Sequence, residues 1–241
     1  MTETLTTLRR DLAAALNLAD RFGFSEGICN HFSVVLPGDE ERYLINPFGL
    51  QWSEIRPHHL LLIDAEGAVV EGDGEVEATA LHIHVAGHRA NPRHRAILHV
   101  HMPHATALTM VEGGRLEMAH QTAVRFYNRM THLAFGGVAL GRDEGERIAG
   151  AQRSDSSVDI IFLDNHGVSV CGETVGIAFD DLYYLERACH QQILAQATGL
   201  PLKLIAEPLV IETARQIEGI RAEMAEAHFS AQMRAQLKQG K

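Results

Sequence analysis

The segment His99-Val100-His101 has the clearest capacity for chemistry. Residues two apart on a strand project from one face, so both imidazoles can reach one ion while Leu98 and Val100 pack the other way. Zinc and similar ions take imidazole nitrogens, and a catalytic centre uses three protein ligands with one position left open. His166, in Leu163-Asp164-Asn165-His166-Gly167, is the candidate third ligand, placed at a turn after an apolar strand. Taken singly, each has an ordinary reading: two surface histidines on an edge strand, and a turn histidine between hairpin strands. A rival pair, His84 and His88, has helical i,i+4 spacing. His88 adjoins Arg89 on what should be a solvated face, whereas His84 could reach the ion or the groups that orient its ligands.

These residues need elements to carry them. Apolar positions at three- and four-residue spacing predict a helix over 3–21, with Gly23 closing it. Residues 32–36 and 42–45 read as a hairpin across Pro37-Gly38-Asp39, and 60–63 with 69–70 as another around Glu66-Gly67. A helix is expected over 79–90, a strand over 95–101, and a helix from Pro103 through Val111. Residues 116–142 suggest short strands. A short helix capped by Asp143 runs to 152, strands cover 158–163 and 168–171, a long helix covers 175–197, and a last helical stretch covers 209–238. No linker or repeat divides the run. The expectation is one α/β domain over 1–241 with a largely antiparallel sheet, because tight turns join most strand pairs, and with 205–241 as a helical tail that packs on the domain or a neighbour or covers the metal site.

Composition narrows the partners. Among 241 residues, 21 Lys and Arg stand against 31 Asp and Glu, giving a formal charge of −10. An acidic surface without basic clusters argues against nucleic acid. Three scattered cysteines form neither a disulfide framework nor a CxxC site and fit a reducing compartment. The N-terminal stretch does not read as a signal peptide, and no segment has the ~18–20 apolar residues that span a bilayer. Cytoplasm is the expectation, with no membrane partner. Fifteen histidines justify the search for a cluster.

Other chemistries lack their motifs. There is no GxSxG, no cysteine in a nucleophile context, and no GxGxxG after a strand. Four segments in order do match a known pattern: Gly27-Ile28-Cys29-Asn30-His31-Phe32-Ser33-Val34, Ile45-Asn46-Pro47-Phe48-Gly49-Leu50, Ala96-Ile97-Leu98-His99-Val100-His101 and Leu163-Asp164-Asn165-His166-Gly167. From about residue 5 to 200 the chain resembles the class II aldolase/adducin family. The resemblance implies a three-layer α/β/α fold, a homotetramer with active sites between subunits, and His99, His101 and His166 as ligands of a divalent metal, zinc first, with Mn, Fe or Co as alternatives.

Departures from the sugar-phosphate aldolases of that family shape the functional expectation. Aligning on His84 puts Ala80 where those enzymes carry a catalytic glutamate, with Glu77 three residues earlier as a substitute. The Gly-Asn that helps bind phosphate is Asn30-His31 here, and the next loop's Thr-Gly is Phe48-Gly49, which suits a phosphate dianion poorly. Gln121 stands where a proton-donor tyrosine is expected, and residues 121–129 resemble the adducin-related branch, which includes decarboxylases of hydroxylated aromatic acids. The implied activity is a metal-dependent carbon–carbon lyase acting on a small unphosphorylated hydroxycarbonyl compound or hydroxyaromatic carboxylate, by aldol cleavage or decarboxylation. His31, Tyr127 and Glu77 are the candidate proton donors, His31 being best placed by motif. Asn30, Phe48 and Gly49 are expected at the substrate, and Arg125, Arg129 and Arg215 could anchor a carboxylate. The alternatives are a fuculose-phosphate-type aldolase and a non-catalytic adducin-like module.

Overall fold

Alternating side chains decide how the layers stack. On β1 (His31–Leu36), Phe32 and Val34 enter the main apolar core while Val35 joins a separate cluster on the opposite face. On β5 (Ala96–Val100), Ala96, Leu98 and Val100 enter that same main core, leaving Ile97 and His99 for the other side. A computed structural model describes residues 4–138 and 142–239. It adds β2 (Asp39–Ile45), β3 (Leu61–Asp64), β4 (Val69–Glu71), β6 (Met130–Leu133), β7 (Ile160–Leu163) and β8 (Gly167–Gly172). The strand order is β4-β3-β2-β1-β5-β8-β7-β6. Only β6 with β7 is parallel among these pairs, so the sheet is largely antiparallel as expected.

Helices cover both faces. The first carries α1 (Leu5–Arg21), α3 (Pro103–Thr109), α6 (Val175–Gln196) and α8 (Arg221–Gln239), whose Leu8, Leu12, Leu16, Leu108, Phe179, Leu182 and Phe229 pack with Phe32, Leu98 and Val170. Each such side chain, fully buried, contributes about 1.5–3 kcal/mol. The second face carries α2 (Ala78–Ala90) and α5 (Arg142–Ser154), which contact each other and meet β7 through Ile83, Ile148, Ile161 and Leu163. This is the three-layer α/β/α arrangement.

Local departures have physical causes. Within 116–142, residues Gln121–Val124 form a short helix, α4, rather than a strand, because the His120 ring caps it by accepting from Thr122 N–H at 3.2 Å. Asp143 lies inside the first turn of α5, where its charge favours the helix dipole, instead of capping it. The expected last helix is two: α7 (Glu207–Glu218), with only Val210 buried, and α8, broken from it at Gly219-Ile220. α8 packs on α6, with Ala225 and Phe229 buried. No helix among the described residues is long and apolar enough to cross a membrane.

Candidate metal centre and active site

The end of β5 and the β7–β8 turn bring the three sequence-distant histidines together. β5 pairs with β8 in the register Val100↔Val168, so the turn before β8 lies beside the residues following β5. Asn165 adopts φ +57° in that turn, a left-handed conformation asparagine tolerates better than most residues. Gly167 follows His166 for want of room: a Cβ there would stand 2.6 Å from both the His101 ring and the Val100 carbonyl oxygen. The candidate ligand atoms of His99, His101 and His166 all lie within 4.8 Å of one another. Ring centroids are 5.2 Å apart for His99–His101, 4.9 Å for His99–His166 and 4.7 Å for His101–His166.

The hydrogen bonds leave the right nitrogens free. His99 Nδ1–H donates to the Val168 carbonyl at 3.0 Å, so Nε2 keeps its lone pair. His101 Nδ1 is paired with the Glu26 carboxylate, and its Nε2 is buried without a protein partner. A carbonyl or carboxylate on the far nitrogen is how metal-binding imidazoles are commonly oriented. Burial, reinforced by the neighbouring rings, holds His99 well below the usual histidine range. The same two causes bring His166 to about 4. Neutral imidazoles with converging lone pairs suit a divalent cation.

Beside this cluster stands His31. It is the cross-strand partner of His99, and the two rings stack at 5.6 Å. Its Nε2–H donates to Glu77 Oε2 at 2.8 Å. Glu77 is also the N-cap of α2, accepting from Ala80 N–H at 3.3 Å and from the Thr79 hydroxyl. The His31 bond, then Thr79, outweigh partial burial and hold the Glu77 carboxyl at about 2. Glu77 therefore reaches the site from the helix cap, although Ala80 holds the position three residues on.

A cavity of about 350 Å³ adjoins the three histidines, lined also by His31, Glu77, Asn30, Phe48 and Thr79. Phe48, Ile83, Phe135 and Val138 make its walls largely apolar, and none of the described lining residues is Lys or Arg. Asn30, at φ +71°, is buried and accepts from the His101 N–H at 3.3 Å. Gly49, at φ +90°, turns the loop behind Phe48 and is not among the lining residues.

Several expected participants lie elsewhere in the chain. Tyr127 lines a different cavity, with Arg93, Asn128 and Arg129. Arg125 stacks on Tyr184 at 4.2 Å and pairs with Asp180, so its charge is committed. Arg129 is held by Asp159 and Asp181, and Arg215 is a surface residue paired with Glu212. The C-terminal helices contribute nothing to the lining of the histidine cavity. His88, expected on a solvated face, is buried with His84, because that side of α2 packs on the sheet. Sequence reasoning also missed Glu26, Phe135 and Val138, which sit in loops without periodicity. Ser33, hydrogen-bonded to His84 and His88, was findable, since alternation puts it on the His31 face.

The comparisons agree with this geometry. A family model for the class II aldolase and adducin N-terminal domain matches residues 10–193. The chain belongs to the class II aldolase and adducin family. Within this family it is similar to the decarboxylase NovR of Streptomyces niveus, 32% identical over 197 residues, covering 81% of this chain and 72% of NovR. It resembles the crystal structure of an aldolase II superfamily protein from Pseudomonas syringae at TM-score 0.90 and 31% identity, over 99% of this chain and 94% of that one. It also resembles the L-fuculose 1-phosphate aldolase of Glaciozyma antarctica PI12 at TM-score 0.86 and 26% identity, again over 99% and 94%. Relatives of this kind place the chain in the adducin-related, decarboxylase-like branch of class II aldolases. Members of the family are usually lyases that depend on a divalent metal, and the three-histidine cluster fits such an ion.

Proposed function

We propose that this class II aldolase family member is a metal-dependent carbon–carbon lyase acting on a small unphosphorylated hydroxycarbonyl compound or hydroxyaromatic carboxylate. The observation that carries the reading is the cluster of three converging imidazoles opening on a cavity whose described lining is largely apolar and includes no Lys or Arg. His99, His101 and His166 would hold the ion, zinc best matching three imidazoles, with Mn, Fe or Co as alternatives. Bound there, a divalent cation supplies Lewis acidity at a substrate oxygen.

The remaining work falls to the chain's own groups. His31 holds a proton at Nε2 against the ionised Glu77 carboxylate, poised for delivery to the carbon left negative when the bond breaks. The same pair serves aldol cleavage and decarboxylation, since both leave a carbanion to protonate. Phe48, Phe135, Ile83 and Val138 offer surface to an apolar or aromatic substituent. Asn30 holds the His101 backbone, and Gly49 shapes the Phe48 loop.

A fuculose-phosphate-type aldolase is the second reading, favoured by the likeness to the Glaciozyma enzyme. Phosphate recognition draws on Arg or other charge-assisted donors, and the described residues lining the cavity include no Arg or Lys. A non-catalytic adducin-like module would have no use for three converging lone pairs. Three free thiols fit a reducing cytoplasm. Exposed Leu200, Leu204, Leu209, Ile211, Ile220 and Met224 favour a subunit contact of the homotetramer type.

The test is a pair of panels run on metal-loaded protein: carbon dioxide release from hydroxyaromatic acids, and retro-aldol cleavage of sugar phosphates beside their unphosphorylated counterparts. The proposal expects turnover in the first panel or with unphosphorylated aldols. Efficient turnover confined to phosphorylated sugars would overturn the substrate class.

A further inference from the structure

Behind the cavity runs a chain of buried groups whose protons can be placed one at a time. His88 Nδ1 lies 2.6 Å from the His94 carbonyl oxygen, which can only accept, so that nitrogen carries hydrogen. Burial holds His88 at about 4, leaving the ring neutral near pH 7 and its Nε2 a bare acceptor. Ser33 Oγ lies 2.7 Å from that Nε2 and must donate its single proton there. The same oxygen is 2.5 Å from His84 Nδ1. With its proton committed it can only accept, so His84 carries hydrogen on Nδ1. Burial, with His31 and His88 nearby, keeps His84 neutral as well.

One nitrogen is left over. His84 Nε2 is unprotonated, buried and without a protein partner. The neighbouring ring is His31, packed edge to face at 5.5 Å. His31 commits Nε2–H to Glu77, and its Nδ1 is also buried and unpartnered. A buried polar nitrogen without a partner costs on the order of 1–3 kcal/mol, so two in adjacent rings call for a purpose.

We propose that Ser33 and His88 are positioning residues that lock His84 in the Nδ1–H tautomer, so that the ring packed against His31 keeps a bare lone pair on Nε2 and has no N–H there. The tautomer assignment stands on the hydrogen bonds together with the neutrality of the two buried rings; its effect on turnover rests on the role given to His31 above. Phe or Leu at position 84 would fill the same space without presenting an acceptor, so the histidine chain is more than packing. His88 is further braced by stacking on Tyr43 at 5.2 Å.

The test uses zinc-loaded protein labelled with ¹⁵N-histidine. Long-range proton–nitrogen spectra separate the two neutral tautomers, and comparison with H84Q assigns the His84 signals. His84 is expected as the Nδ1–H form. In S33A the lock is gone: the tautomer signal shifts or splits, and kcat falls roughly tenfold, as for loss of other groups that orient a metal site, with KM and zinc content unchanged. S33T, which keeps the hydroxyl, is expected to keep both the signal and the turnover. An Nε2–H signal for His84 in the native protein would overturn the proposal. So would S33A with unaltered spectrum and turnover, or equal losses of zinc and stability in S33A and S33T. The spectrum needs no substrate, so failure of the lyase reading would leave the tautomer result intact and be recognised separately.

Discussion

At the scale of single residues, the site depends on which nitrogen of each imidazole is free. His99 and His101 have their Nδ1 atoms occupied by Val168 and Glu26, and His31 has its Nε2 occupied by Glu77. Replacing Glu77 by Gln removes the charge that holds the His31 proton in place. The expected result is a loss of about 100-fold in kcat, at the lower end of general acid–base contributions, with metal content unchanged; an effect on KM alone would remove Glu77 from the chemistry. His166 gives a pH prediction. An unfolded histidine takes up a proton near 6.5, while folded His166 does so only near 4. Its folded pKa is lowered, so the metal-free protein is unpenalised above 6.5 and loses stability as pH falls toward 4. Thermal melts of chelated protein across that range are the check, and a flat profile would contradict it. The three ligand candidates were legible because strand alternation and a turn residue are local signals. His84 was legible as a residue near the site but His88 was not: i,i+4 spacing gives a shared face, and only the packing of α2 on the sheet says that this face is buried.

At the scale of elements, the β7–β8 turn is the part that admits least change. A Cβ at Gly167 meets the His101 ring and the Val100 carbonyl. Gly167→Ala is expected to displace the turn, destabilising by about 1–3 kcal/mol, the usual cost of forcing extra atoms into a packed site, and to weaken metal binding. A variant with native melting and native metal content would show that the turn has slack. Most strands and helices could be read in advance from alternation, apolar spacing and turn residues. Two regions could not. The short helix Gln121–Val124 owes its form to a capping side chain from His120 rather than to its own propensity. The break at Gly219-Ile220 separates two helices whose combined pattern reads as one, because helical spacing continues across it. Glu26, Phe135 and Val138 lie in loops, where neighbours are set by the finished fold.

At the scale of the whole molecule, a buried ion cluster ties the layers together. Asp159, beside β7, meets Arg129 and His94, while Asp181 on α6 holds Arg129 and Arg221, the latter from α8. Burial alone would raise the Asp159 carboxyl, but His94, Arg129 and Arg221 bring it to about 2 against an ordinary 3.8. A lowered carboxylate stabilises above its unfolded value and loses that contribution as pH falls through the folded one, so acid unfolding is expected between about 4 and 2. Asp159→Asn leaves Asp181 alone to balance Arg129 and Arg221 and takes the carboxylate from His94, and denaturant titration is expected to show a loss of about 3 kcal/mol, as when one partner of a buried pair is removed. A change below about 0.5 kcal/mol, ordinary for a surface substitution, would mean the cluster is dispensable. The C-terminal helices thus fasten to this cluster, on the opposite face from the histidine cavity. Metal analysis of purified protein beside His99→Ala decides whether three imidazoles brought from β5 and a distant turn hold one divalent ion. One equivalent of zinc or another divalent metal per chain is predicted for the native protein, falling to a trace in a variant that still folds. A folded native protein that takes up no metal on reconstitution, or a variant that keeps its full equivalent, would contradict it.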